Sequence, residues 1–191
     1  MKHGYLYLSI AVCGAAVLAI EILGTRILGP FYGVSISLWS ALITVTLAAL
    51  SVGYALGGRW ADRKLSRARF ASLLVAAGIW IILVPVIRAP FMAAAGRLGP
   101  RAAMVAASLM LFFVPLAILG MASPFALRLR AQSLGEIGSA AGNLSAISTL
   151  AGVAAALCTG FVLMPNFGVS SITAATGIAL VLAGIPGLLR R

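Results

Sequence analysis

Six apolar runs, each near the length a helix needs to cross a bilayer, divide this 191-residue chain from end to end. A helix rises about 1.5 Å per residue, so roughly twenty apolar residues span about 30 Å of hydrocarbon. The runs predict helices over residues 5–28, 35–58, 70–87, 102–121, 142–164 and 170–189. Gly29-Pro30 stops the first, and the charged segment from Arg59 to Arg69 ends the second. Arg88-Ala89-Pro90 closes the third and opens a short interfacial segment to Arg101. Ser123-Pro124 ends the fourth, a polar stretch from Arg128 to Ser139 leads to the fifth, and Pro165-Asn166-Phe167-Gly168 turns into the sixth. The expected fold is all-α and integral to the membrane: one domain over 1–191, a six-transmembrane-helix bundle of half-transporter size.

Composition agrees, since 62% of the residues are hydrophobic and only 9% are charged. A water-soluble domain carries about a quarter charged residues. The net charge of +11 raises the question of nucleic acid. That partner needs basic residues gathered in one patch among aromatics, whereas these fall in short clusters between apolar runs. No nucleic-acid partner is expected. Cys13 and Cys158 both lie inside apolar runs and read as buried free thiols. His3 is the one histidine, and no His, Cys, Asp and Glu cluster has ligand spacing, so neither metal nor cofactor is expected. The start, Lys2 followed by an apolar run, imitates a signal peptide but has no small-x-small cleavage site, and the apolar character continues past Glu21. An uncleaved first helix is the expectation.

Lysine and arginine placement sets the expected orientation. With the N-terminus inside, Lys2, Arg59, Arg63, Lys64, Arg67, Arg69, Arg128, Arg130, Arg190 and Arg191 are cytoplasmic. Only Arg26, Arg88, Arg97 and Arg101 are outside. Both termini are therefore expected in the cytoplasm of an inner-membrane protein, with anionic lipid at that face.

Glu21 is the one carboxylate inside an apolar span. A bare charge at the bilayer centre costs roughly 2.5 kcal/mol or more, so it must face protein or water. One reading is a proton- or cation-binding group in a cavity; the other is a paired or protonated residue fixing the first helix to a neighbour. Arg26, five positions on, is rotated roughly 140° around the helix, so Glu21 needs a partner elsewhere. Ser37, Ser40, Thr44 and Ser51 share one face of the second run. They either line a polar path or, more commonly, hydrogen-bond between helices. Gly53 and Gly57 form a G-x-x-x-G, and Ser148, Gly152, Ala156 and Gly160 a four-spaced ladder in the fifth run. Both patterns predict close helix packing. The loop Gly58-Arg59-Trp60-Ala61-Asp62-Arg63-Lys64 resembles the G-x-x-A-D-R signature of the major facilitator superfamily. That likeness implies a gating latch from Asp62, Arg63 and Arg59, Asp62 accepting a charge-assisted bond. The alternative is a basic anchor holding anionic lipid.

Longer stretches carry a second resemblance. They are Glu21 to Gly33 with Trp39, Leu50 to Gly58 with Ala61-Asp62-Arg63, and Leu119 to Arg128. Gly142 to Thr149, Gly152, Thr159-Gly160-Phe161 and Pro165 to Gly168 follow. In this order they resemble the membrane domain of the membrane-bound spermidine synthase-like family, the fused major facilitator/spermidine synthase proteins. That family's aminopropyltransferase domain has no counterpart before Arg191, and Ser145 stands where the pattern has a tyrosine. The resemblance implies a fold and a location, not an enzyme. The function expected is a non-enzymatic module that binds or transports a small solute, cationic and polyamine-like, through Glu21 and Arg26. A homodimer would complete a twelve-helix body. The alternative is a structural or accessory subunit of a larger membrane complex.

Overall fold

The computed structural model describes residues 2–63, 65–131 and 137–189. Lys64, Arg190 and Arg191, three of the residues assigned to the inner face, lie outside them, as do 132–136 of the polar stretch and the side chains of Lys2 and His3. Six helices cross the molecule: α1 (Lys2–Tyr32), α2 (Ile36–Arg63), α3 (Arg67–Ala95), α4 (Pro100–Arg130), α5 (Ile137–Asn166) and α6 (Val169–Leu189). Each is long and apolar enough to span a bilayer, and the chain is a multi-pass membrane bundle. An even number of crossings leaves both chain ends at one end of the bundle, here termed the near end.

The helices overrun most of their expected limits. Pro30, Pro85, Pro90 and Pro124 all lie inside helices, and α3 continues to Ala95 where an interfacial segment was expected. Arg59 and Arg63 likewise belong to the last turns of α2. In hydrocarbon an unwound segment exposes several unpaired backbone groups, whereas a helical proline sacrifices one bond. Continuing the helix is cheaper. Gly33 breaks the chain after α1 at a φ of 74°, open to glycine without strain. In α4 a wider π-type turn over Leu109–Phe113 precedes Pro115. Pro115 has no N–H for the Leu111 carbonyl four residues back, and that oxygen accepts the Trp80 indole N–H of α3 at 3.1 Å. A second π-type turn, Cys158–Leu163, precedes Pro165 in α5.

Three helix pairs carry most of the packing: α3 with α6, α2 with α4, and α1 with α5. Next come α3 with α4 and α1 with α6. Exchanging α1 with α4, α2 with α5 and α3 with α6 returns the same set of pairs. The packing pattern thus has a pseudo-twofold symmetry relating α1–α3 to α4–α6, the two halves here termed repeats. An odd number of crossings in each gives them opposite directions through the membrane. No repeat is visible in the sequence.

Each main pair meets where side chains vanish. A Cβ on Gly78 of α3 would lie 2.6 Å from the Gly177 carbonyl of α6, and one on Gly177 would lie 2.6 Å from the Gly78 carbonyl. A Cβ on Gly53 would strike the Ala117 carbonyl and come within 2.9 Å of Gly120 Cα, while one on Gly57 would lie 2.6 Å from Met121 Cα. Between α1 and α5, Gly14 abuts Ser148, and a Cβ on Gly152 would lie 2.9 Å from Leu18 Cδ1. Lipid tails are as apolar as leucine, so such backbone proximity, not water exclusion, joins the helices. The ladder expected in α5 therefore holds at Ser148 and Gly152 but not at Gly160. Nothing lies within 4 Å of a Cβ built there, because Gly160 sits past the crossing, beside open space.

Gly177→Leu should cost about 2–3 kcal/mol by forcing α3 and α6 apart. Gly160→Leu should stay within about 0.5 kcal/mol of the parent. Thermal unfolding of the two variants in detergent tests the difference.

Candidate functional site: a hydroxyl-lined cleft and the near-end ion pair

The last turns of α2 and α4 reach the near end side by side because the glycine contacts below them hold the two backbones together. Asp62 of α2 accepts from Arg128 Nε of α4 at 3.0 Å. Both side chains are more than half exposed, so the pair contributes at most about 1 kcal/mol. Beneath it Trp60 meets the Phe125 ring edge-on, centroids 6.5 Å apart. Arg130 donates through Nε to Tyr7 Oη at 3.2 Å, tying α4 to α1. The latch expected from Asp62, Arg63 and Arg59 takes a different form. Asp62 reaches across to Arg128, whereas Arg59 and Arg63 turn away as exposed side chains with no carboxylate partner among the described residues.

Inward of this closure, α1, α2, α4 and α5 surround a cleft with two adjoining lobes. One, of about 230 Å³, runs past Cys13, Gly14, Leu50 and Gly120. The other, of about 360 Å³, is lined by Pro124, Leu127, Leu144 and Ser145. Tyr54, Ser123, Ser148 and Thr149 border both. The cleft lies between elements of the two repeats, and its polar groups are hydroxyls, each able to donate and accept. Of the hydroxyl residues only Ser148 belongs to a spacing pattern in the sequence; isolated hydroxyls in an apolar run carry no spacing signal. The adjacency of Ser145, Ser148 and Thr149 on one face of α5 is the one available hint.

Glu21 lies on the same face of α1 as Gly14, Val17 and Leu18, which line the first lobe. It is one helical turn further from the near end and half-buried. No hydrogen bond or ion pair joins it to another described residue, and the partner expected from another helix is not found there. Arg26 is exposed on α1, and the two do not come together.

The helix surfaces differ by side. Outward positions on α3 and α6 are mainly apolar, among them Ile79, Leu83, Val86, Ile178, Leu182 and Ile185. Outward positions on α2 and α5 mix in Ser37, Ser40, Thr44, Ser51, Asn143 and Thr149. The α2 hydroxyl face, expected to bond between helices, is instead exposed along its length, because α4 meets α2 along the glycine face that carries Gly53 and Gly57. Cys13 is buried as expected, but Cys158 is exposed on α5. α5 is the least enclosed helix: 11% of its most apolar window is buried, against 50% in α4.

No family model, curated protein or solved structure matches this chain. Among the described residues no three His, Cys, Asp or Glu side chains gather as a metal site. What the site offers is therefore its geometry: a hydroxyl-lined cleft, a carboxylate one turn away, and a weak ion pair at the near end.

Reversing the pair should preserve its contact. Asp62→Arg combined with Arg128→Asp should recover stability lost by either single change, a coupling of about 0.2–1 kcal/mol. A double-mutant cycle read by thermal unfolding should show that coupling shrinking at high salt.

Proposed function

We propose that this chain is a non-enzymatic membrane module that binds a small cationic solute in the cleft between α1, α2, α4 and α5 and passes it across the bilayer. The observation that carries this reading is the placement of Tyr54, Ser123, Ser148 and Thr149 in one cleft at the boundary between two inverted repeats. Secondary transporters commonly hold their substrates at such a boundary and expose them alternately as one part rocks against the other. Glu21, half-buried, unpaired among the described residues and one turn along the same face, supplies the anion that a cation leaving the hydroxyls would meet next. A charge in that position favours contact with solute or water over lipid. Asp62–Arg128 closes α2 against α4 weakly enough to open and reform in each cycle.

A polyamine-like solute is suggested by the resemblance to the spermidine synthase-like membrane domain, and its several ammonium groups suit hydroxyl acceptors followed by a carboxylate. The basic residues around the near end, Arg59, Arg63, Arg67, Arg69, Arg128 and Arg130, favour a cytoplasmic near end in a cell membrane. A second copy covering the polar sides of α2 and α5 would make a twelve-helix body.

The exposure of α5 supports a second reading, an accessory subunit whose fifth helix docks into a larger membrane complex. Native mass spectrometry after gentle extraction separates the readings, since stoichiometric foreign subunits support the second and a monomer or self-dimer supports the first.

Purified chain in liposomes should take up labelled polyamine, and Glu21→Gln should lose most of that uptake. Absence of uptake by the parent overturns solute passage; undiminished uptake by the variant removes Glu21 from the path.

A further inference from the structure

A second concavity owes nothing to the cleft. α2 and α3, joined at the near end through residues 64–66, wall a groove whose floor is Ile118 and Met121 of α4. It holds about 740 Å³. Leu56, Leu73 and Ala76 line its inner part; Arg59, Trp60 and Arg63 stand at its mouth. Between Arg63 and Leu56 the wall descends two helical turns, about 10 Å, from charge to hydrocarbon.

Among the described residues no carboxylate compensates the charge at the mouth. Asp62, the carboxylate between the two arginines in sequence, is committed to Arg128 on α4. Arg59 and Arg63 are four residues apart, so they stand one above the other on one face of α2, an arrangement that repels in isolation. An anion held between them turns that repulsion into two charge-assisted bonds. Trp60 adds an indole at the level where polar and apolar surfaces meet, its preferred depth in a membrane.

The inverted repeat supplies an internal comparison. Exchanging α2 with α5 and α3 with α6 maps this groove onto one at the far end, between α5 and α6. That counterpart, about 460 Å³, is lined by Leu163, Phe167, Ser171, Ile172, Ala175 and Thr176, with no basic residue. The fold makes a groove at both ends but places arginines at one. The charge is therefore not a by-product of the helix arrangement, and it accompanies the end richest in basic residues.

We infer that the near-end groove is a binding site for one anionic phospholipid. Its phosphate sits between Arg59 and Arg63, and an acyl chain lies over Leu56, Leu73, Ala76 and Met121. The site stands independently of solute passage. Two guanidinium groups near the membrane surface favour an anionic over a zwitterionic lipid by about tenfold or more.

The test is native mass spectrometry of the delipidated full chain in detergent, titrated with phosphatidylglycerol and phosphatidylcholine of identical acyl chains. One phosphatidylglycerol should be retained per chain at the expected preference. Arg59→Gln with Arg63→Gln should bring the two lipids to near parity, and Arg59→Lys with Arg63→Lys should keep the preference. Ala76→Trp, which fills the inner groove, should weaken both lipids equally. Unchanged preference in the glutamine pair, or unchanged retention in Ala76→Trp, overturns the site. So does displacement by glycerol phosphate at lipid-equivalent concentration, which marks a free-phosphate site with no role for the acyl chain.

Discussion

Backbone contact at three glycine crossings sets the position of everything else in this molecule. Helices in lipid gain nothing by hiding apolar surface from one another, so van der Waals contact between closely approaching backbones has to hold them. Gly78 against Gly177, Gly53 against Gly120, and Gly14 against Ser148 provide it in the three main helix pairs. Because α2 is bound to α4 below, their ends meet above, where Asp62 and Arg128 face each other. Because α1 is bound to α5, Ser148 and Thr149 are brought to the cleft that Tyr54 and Ser123 complete. The polar site follows from crossings made by residues with almost no side chain.

Two different surfaces result. The α3–α6 side exposes branched apolar side chains and suits contact with acyl chains. The opposite side sets hydroxyls, Asn143 and Gly142 among exposed apolar side chains such as Leu47, Leu150 and Leu157, a mixed surface whose polar groups hydrocarbon solvates poorly. Under the reading advanced above, water, solute or a second copy covers it. The groove walled by α2 and α3 belongs to neither surface, because its arginines meet the membrane interface while its interior meets the chains.

The spans were legible in the sequence because hydropathy sums over some twenty residues and tolerates local noise. Their ends were not. Pro90 and Pro124 are helix breakers in water and Arg59 ends an apolar run, yet each lies within a helix. A bilayer penalises broken backbone more than a proline, and hydropathy marks where a span leaves the hydrocarbon, not where its helix stops. Gly53 and Gly57 announced their role by spacing, whereas Gly78 and Gly177 are single glycines in apolar runs and gain meaning only when the helices are paired. Asp62 was legible as a residue that pairs with an arginine, but Arg128 was not legible as its partner, because that choice depends on which helix lies beside α2. The serines of α2 showed their common face, while the side of the bundle to which it turned was a matter of tertiary packing.

The central claim is that the α1, α2, α4 and α5 side holds a polar cleft reached from the near end, while α3 and α6 face lipid. Thiol accessibility tests it most directly. With Cys13 and Cys158 replaced by alanine, Ser123→Cys, Ser145→Cys and Thr149→Cys should react with a membrane-impermeant reagent supplied to the near-end side of sealed vesicles. Leu83→Cys and Leu182→Cys should stay unreactive. Equal protection of all five positions, or labelling of the α3 and α6 positions in place of the cleft, would contradict the account.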